Sequence, residues 1–150
     1  MNILFINGSP NKNGNTAKLA AKVMNGRAYE TLDLVDYRIN VFGQKLPGDQ
    51  FAEVIERMKQ AGVIVIGSPL YWHNICGSVR TLIDRFYGAV DNGGLSGRKL
   101  IFIYQGAAPV KWMMDAGEFT MKRFASLYGM EYLGMATNEQ EAAALAAQIG

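Results

Sequence analysis

The sequence predicts an α/β domain in which a five-stranded parallel sheet is covered by helices on both faces. Two observations carry this. Short apolar runs alternate with stretches of helical period along the chain, and Val63–Gly67 is a continuous β-branched run, as a strand covered on both faces must be. A third is the lack of any linker, internal repeat or low-complexity stretch in 150 residues, which predicts one domain over residues 1–150.

Each element has its own signal. Asn2–Ile6 reads as a buried strand, followed by a Gly/Asn-rich loop and a helix over Asn15–Asn25 with Leu19 and Val23 four apart. Thr31–Val35 reads as the second strand. Asp49 is placed to N-cap a helix over Gln50–Ala61, whose Phe51, Val54, Ile55 and Met58 keep helical spacing, and Gly62 is placed to end it. After the Val63–Gly67 strand, a helix over Gly77–Tyr87 carries Val79, Leu82, Ile83 and Phe86 on one side. Leu100–Tyr104 is a strand, Ala116–Leu127 a helix and Glu131–Met135 a final, weaker strand; the Ala-rich tail Gln140–Ile149 is helical by propensity. The order βαβαβαβαβα with right-handed crossovers fits strand order 2-1-3-4-5, a flavodoxin-like three-layer sandwich.

Composition narrows the function. Fifteen Lys and Arg against thirteen Asp and Glu leave a net charge of +2, with no broad basic field for nucleic acid and no acidic face for docking on a basic enzyme. The single cysteine rules out an intrachain disulfide and a Cys-rich zinc or iron–sulfur site. No metal ligand set is expected. No apolar run approaches the ~20 residues that span a bilayer, and MNILFING opens as a strand without leader-like features. The expectation is a cytoplasmic protein without a membrane partner.

In an open parallel sheet, ligands bind beyond the carboxyl ends of the strands. Three loops leave those ends here. Gly8–Asn15 offers Ser9, Asn11, Asn13, Gly14, Asn15 and Thr16 at a helix start, where backbone N–H groups, hydroxyls and the helix dipole suit an anion. It is not a Walker A loop, since Gly8 and Gly14 are six apart and Asn15 stands where the lysine would be. The G-x-G-x-x-G fingerprint is also absent, so a monophosphate ester suits the loop better than a triphosphate. The alternative is simple capping of a helix. Ser68–Gly77 carries adjacent Tyr71 and Trp72, suited to cover a flat conjugated ring whose polar edge meets backbone near Leu70–Asn74; packing on a helix or a partner subunit is the alternative. Gln105–Lys111 has small residues that permit close approach, or merely form a turn.

The segments GSPNKNGNT at 8–16 and GSPLYWHNICGSVRTLIDRF at 67–86 together resemble the NADPH-dependent FMN reductase and NAD(P)H dehydrogenase (quinone) proteins of the flavodoxin-like class. The resemblance covers most of the chain and is strongest through residue 106. It implies FMN, with Ser9, Asn11, Gly14, Asn15 and Thr16 around the phosphate. Pro69, Leu70, Tyr71, Trp72 and Asn74 would lie along the isoalloxazine, with Gln105 and Gly106 closing another side. It further implies NAD(P)H as co-substrate, a quinone, nitro compound or similar small acceptor, and a homodimer. Two departures stand out. Many relatives vary between Asn and Arg at the position of Asn11, where an Arg would add a charge for the phosphate that this chain lacks, and many have a longer or Cys-rich insertion after the second strand, where this chain has only Tyr37–Pro47.

No side chain is nominated as catalytic, because the reactive atoms would belong to the cofactor. His73, the only histidine, lies beside the aromatics; Cys76 is expected to be buried and inert. Lys111–Met114 reads as a flap or subunit contact, Asp84 and Arg85 as a surface or interface pair, and Lys12, Lys111 and Arg98 as candidates for a 2′-phosphate. Two other functions fit the residues: a flavodoxin-type electron carrier, and a non-enzymatic domain that binds a phosphorylated ligand or a protein.

Overall fold

Period-two alternation in the three central strands decides the layering. In the computed structural model, which describes residues 2–150, Leu4, Ile6, Ile64, Ile66, Leu100, Phe102 and Tyr104 point to one face. Ile3, Phe5, Val63, Val65, Ile101 and Ile103 point to the other. Both faces are therefore apolar, and each needs a cover. One is covered by α2 (Phe51–Gln60), α3 (Gly77–Phe86) and α4 (Lys111–Tyr128), the other by α1 (Asn15–Met24) and α5 (Glu139–Ala146).

The parallel strands are β1 (Ile3–Asn7), β2 (Glu30–Asp33), β3 (Val63–Tyr71), β5 (Lys99–Gln105) and β6 (Glu131–Ala136). Their spatial order is β2-β1-β3-β5-β6. Counted among parallel strands alone, that is the expected 2-1-3-4-5. The addition is β4 (Asn74–Ile75), which folds back antiparallel on the end of β3, pairing Leu70 with Ile75 and Tyr71 with Asn74. No helix among the described residues is long and apolar enough to cross a membrane.

Several boundaries differ from expectation for identifiable reasons. β2 stops at Asp33, and Leu34–Asp36 turns into a short 3₁₀ segment that buries Leu34, so Val35 is not in the strand. Asp49 does not cap α2, whose N-cap is Gln50 with no side-chain cap bond. Its carboxylate is taken instead by the Arg85 guanidinium, at 2.9 and 2.7 Å, and by the Asn40 N–H at 2.9 Å. Arg85 thus pairs with Asp49 rather than acting beside Asp84, and its guanidinium also lies 4.6 Å from the Phe51 ring centroid. Gly62 does not supply a left-handed cap; α2 ends on extended Ala61, and the Gly62 N–H donates to the Asn2 carbonyl at 2.8 Å. Helix α4 starts five residues early, absorbing Lys111–Met114 into its first turn with Met113 buried. Asn138 caps α5 by accepting from the Glu141 N–H at 2.9 Å, while Glu141 reaches back to the Thr137 N–H at 3.0 Å.

Candidate functional site

The carboxyl ends of β1, β3 and β5 lie side by side, and the three loops leaving them meet at one edge. The first loop is built on a chain of side-chain acceptors. Asn7 Oδ1 accepts from the Ser9 N–H, Ser9 Oγ from the Asn11 N–H, and Asn11 Oδ1 from the Asn13 N–H, all at 3.1 Å. Asn7 is itself fixed by donating to Asp33 at 3.0 Å. These local bonds hold the backbone in a tight curve that delivers it to α1. Gly14 stands where the loop closes on the helix, and a Cβ there would meet Asn11 Nδ2 at 2.9 Å. Among the described residues, the N–H groups of Asn15, Thr16 and Ala17 have no acceptor in the chain, and no side chain caps α1.

Two hydroxyls stand beside those amides. Thr16 is buried, and its Oγ1 accepts from Gln105 Nε2 at 3.1 Å. Ser9 is also buried, and its Oγ is occupied as an acceptor by the Asn11 N–H. A hydroxyl whose oxygen already accepts has its proton left to give, so both are set as donors. Gln105 thereby ties the third loop to the first. The loop's cation is turned away: Lys12 is paired with Asp36 at 2.6 Å, and that hydrogen bond raises its pKa.

The second loop is a hairpin tip rather than an open loop. Trp72 and His73 form its two-residue turn with φ of 49° and 68°, both in the left-handed region. Such turns favour Asn-Gly, and a bulky residue there is strained. The tip carries Trp72 into solvent at 93% exposure, next to Tyr71 at 49%. His73 lies with its ring centroid 5.9 Å from that of Trp112, at the start of α4. The base of the hairpin is pinned by Ser68, fully buried, which accepts from the Cys76 N–H at 2.9 Å and donates to the Pro69 carbonyl at 2.7 Å. Asn74 Oδ1 accepts from the Ile75 N–H at 2.8 Å. Gly106 approaches Leu70 so closely that a Cβ would meet the Leu70 Cβ at 2.8 Å, so its smallness serves loop packing.

A cleft of about 210 Å³ opens between Gly8, Pro10, Val35, Tyr71 and the start of α3 at Cys76–Ser78. Gly8 is fixed there: its N–H donates to the Gly67 carbonyl at 2.8 Å, and its carbonyl accepts from Ser78 Oγ at 2.9 Å. A Cβ on Gly8 would meet Val79 at 2.4 Å. Cys76 is buried, with Sγ 3.5 Å from the Gly8 carbonyl. Beneath this edge Tyr104 is fully buried, and burial pushes its phenol up to about 12. Its hydroxyl has no hydrogen-bond partner among the described residues.

All twelve residues singled out from the sequence thus lie on the three loops at this edge or on the strand and helix ends joined to them. Asn7, Ser68 and Ser78 were missed: Asn7 and Ser68 are polar residues continuing the apolar runs of β1 and β3, which was their only signal, and Ser78, part-buried at the start of α3, had none. Arg98 is at the opposite end of the sheet, before β5, donating to the carbonyls of Ser96 (3.0 Å) and Lys59. Lys111 is at the right edge but is paired with Asp115 at 2.5 Å. Among the described residues, no three His, Cys, Asp or Glu side chains converge as a metal site.

The family model for NADPH-dependent FMN reductases matches residues 1–140. The chain belongs to that family. An iron-sulfur flavoprotein of Archaeoglobus fulgidus is 38% identical over 98 residues, covering 57% of this chain and 48% of the relative. A Bacillus subtilis protein named as an NAD(P)H-dependent FMN-containing oxidoreductase is 31% identical over 94 residues, covering 57% and 52%. The chain thus spans about half the length of these relatives, and its single cysteine cannot supply a set of cluster ligands. Among solved structures, the Trp repressor binding protein of Bacillus subtilis superposes with a TM-score of 0.76 at 20% identity, covering 99% of this chain and 98% of that one. An FMN-dependent NADH-azoreductase of Bacillus anthracis, solved with FMN, gives 0.68 at 17% identity, covering 99% and 94%. These two show the shared fold.

Proposed function

We propose that this family member binds FMN at the β1–β3–β5 edge, oxidises NAD(P)H there, passes the electrons to a small quinone, nitro or similar acceptor, and works as a homodimer. The observation that carries the reading is the pairing of an unsatisfied helix start with an exposed aromatic hairpin on adjacent strands. The Asn15, Thr16 and Ala17 N–H groups and the Ser9 and Thr16 hydroxyls form a neutral donor set for a phosphate, strengthened by the positive end of α1. Asn11 and Gly14 shape the loop around it. Tyr71 and Trp72 supply uncovered aromatic faces for a conjugated ring, and Pro69, Leu70, Asn74, Gln105 and Gly106 frame its edges.

Bound flavin would supply the hydride chemistry. The chain's part is positional. Gln105 orients the Thr16 hydroxyl, Ser68 holds the hairpin base, and the stiff turn keeps Trp72 extended. Lys12 and Lys111 could meet a 2′-phosphate only by leaving their ion pairs with Asp36 and Asp115. Absorbance of the purified protein tests the reading. FMN addition is expected to give a bound band near ~450 nm that NADPH bleaches without oxygen and a quinone restores. Failure to take up FMN would overturn the cofactor; uptake without reduction by NADPH or NADH would leave an electron carrier.

A further inference from the structure

Three exposed rings meet where the second loop touches the start of α4. His73 lies between the chain's two tryptophans, with its ring centroid 6.5 Å from that of Trp72 and 5.9 Å from that of Trp112. The ring planes are inclined at 89° and 48°, so neither contact is a face-to-face stack and broad indole surface stays open. The trio contributes nothing to the core: Trp72 and His73 are exposed, and Trp112 is 60% exposed. Its geometry is nevertheless imposed. Trp72 and His73 are held at positive φ against the preference of their side chains. Helix α4, which packs on the β4 hairpin, begins at Lys111, earlier than its sequence pattern predicts, and so brings Trp112 up to the hairpin tip. Val110 and Tyr71, each about half-exposed, widen the apolar surface. The charged pair beside Trp112, Lys111 with Asp115, is closed on itself and adds no net charge.

We propose that Trp112 and His73 form the seat of the electron acceptor, and that the seat takes an uncharged, planar, electron-poor ring bearing an oxygen, of the quinone or nitroarene class. The inference rests on the flavin reading above and divides the aromatic edge in two. Tyr71 and Trp72 serve the flavin ring, and Trp112 and His73 serve the acceptor. The chemistry of the side chains selects that class. An indole face is electron-rich and attracts the electron-poor face of a quinone or nitroarene. His73 adds a ring N–H beside the Trp112 indole, placed to donate to a quinone or nitro oxygen. A charged acceptor would find no free countercharge in the Lys111–Asp115 pair, and an aliphatic one would leave the ring faces unused.

Because Trp72 and Trp112 are the chain's two indoles, tryptophan fluorescence reads this cluster directly. In the FMN-free chain carrying Trp72→Phe, 1,4-naphthoquinone is expected to quench Trp112 saturably. His73→Gly, which suits the left-handed turn, should raise the quenching midpoint about three- to tenfold, the worth of one hydrogen bond, and His73→Asn, which keeps a donor, should recover part of it. In the FMN-loaded chain, stopped-flow absorbance separates the two halves of turnover. Trp112→Ala and His73→Gly should leave reduction of the flavin by NADPH or NADH unchanged and slow its reoxidation by subsaturating 1,4-naphthoquinone about three- to tenfold. Reoxidation by ferricyanide, which has no ring to seat, should not change. Quenching that is linear and indifferent to His73, naphthoquinone reoxidation untouched by both changes, or a slowing shared by ferricyanide or by reduction with the nucleotide would overturn the assignment. The two readings fail separately. Saturable, His73-dependent quenching in a chain that takes up no FMN would fail the cofactor reading alone, whereas FMN uptake and reduction with no effect of either change would fail the acceptor seat alone.

Discussion

The strained hairpin tip offers the sharpest test of how this site is built. Trp72 and His73 both sit in the left-handed region, where a side chain with a Cβ costs about 1–2 kcal/mol per residue. Replacing them by the pair that such turns favour, Trp72→Asn with His73→Gly, should recover about 2 kcal/mol. The added glycine frees the unfolded chain at a cost of about 0.5–1 kcal/mol. Few contacts are lost, because Trp72 is almost fully solvated and His73 meets only the Trp72 and Trp112 rings as aromatic neighbours. The net expectation is a flavin-free protein more stable by about 1 kcal/mol, a rise in Tm of roughly 2–4 °C at this length. The same change removes the most exposed aromatic face at the site. FMN affinity should therefore fall by about three- to tenfold, the worth of one aromatic contact of about 0.5–1.5 kcal/mol. Thermal melts without ligand and a fluorescence titration with FMN measure the two effects. A Tm that falls, or rises with FMN affinity unchanged, would refute the idea that the turn holds strain in order to present aromatic surface.

Two other substitutions probe the donor set and the support beneath it. Thr16→Val keeps the shape but removes a hydroxyl that the proposed phosphate site uses, so FMN affinity by calorimetry should drop about 10- to 100-fold, the range for a hydrogen bond to a charged group. Asp49→Asn tests the Arg85 clamp: Arg85 bonding holds the Asp49 carboxyl at about 2, below its ordinary 3.8. Because the folded value is depressed, the stabilisation is complete above pH 3.8 and is lost as pH falls through about 2. The variant should be less stable by about 1–2 kcal/mol at pH 7, allowing for the pair's partial exposure, and most of the difference should be gone in melts near pH 2.

Legibility followed the physics of each element. The strands β1, β3 and β5 could be read because a strand covered on both faces has no polar alternative, and Val63–Ile66 is unbroken. The start of α4 could not, because Lys111–Asp115 offers one i,i+4 charge pair and no apolar stripe; Met113 is buried only by the tertiary fold. Asp49 reads as a cap by residue type, but the main partner of its carboxylate is an arginine 36 positions away. Charge-assisted pairing of that kind is invisible until the chain is folded.

The site divides the same way. The first loop is encoded locally: Asn7, Ser9 and Asn11 each accept from an N–H two residues on, so the curve can be inferred from composition and spacing. The hairpin is encoded against local preference. Nothing in Trp-His signals a left-handed turn, and β3 is carried through it by non-local constraints: Ser68 on Cys76, Leu70 beside Gly106, and Gly67 pressed on Thr16 and Phe5. The three loops are consequently one object. Thr16 is both the buried donor of the first loop and the side chain against which the end of β3 packs, while Gln105 of the third loop sets its hydroxyl. A change at Gly67 would move Thr16, because a Cβ there would come within 2.5 Å of Thr16 Cγ2. With Lys12 held by Asp36, the proposed phosphate site would rest on the direction of neutral donors, and those directions are set by the packing of β1, β3 and β5 together.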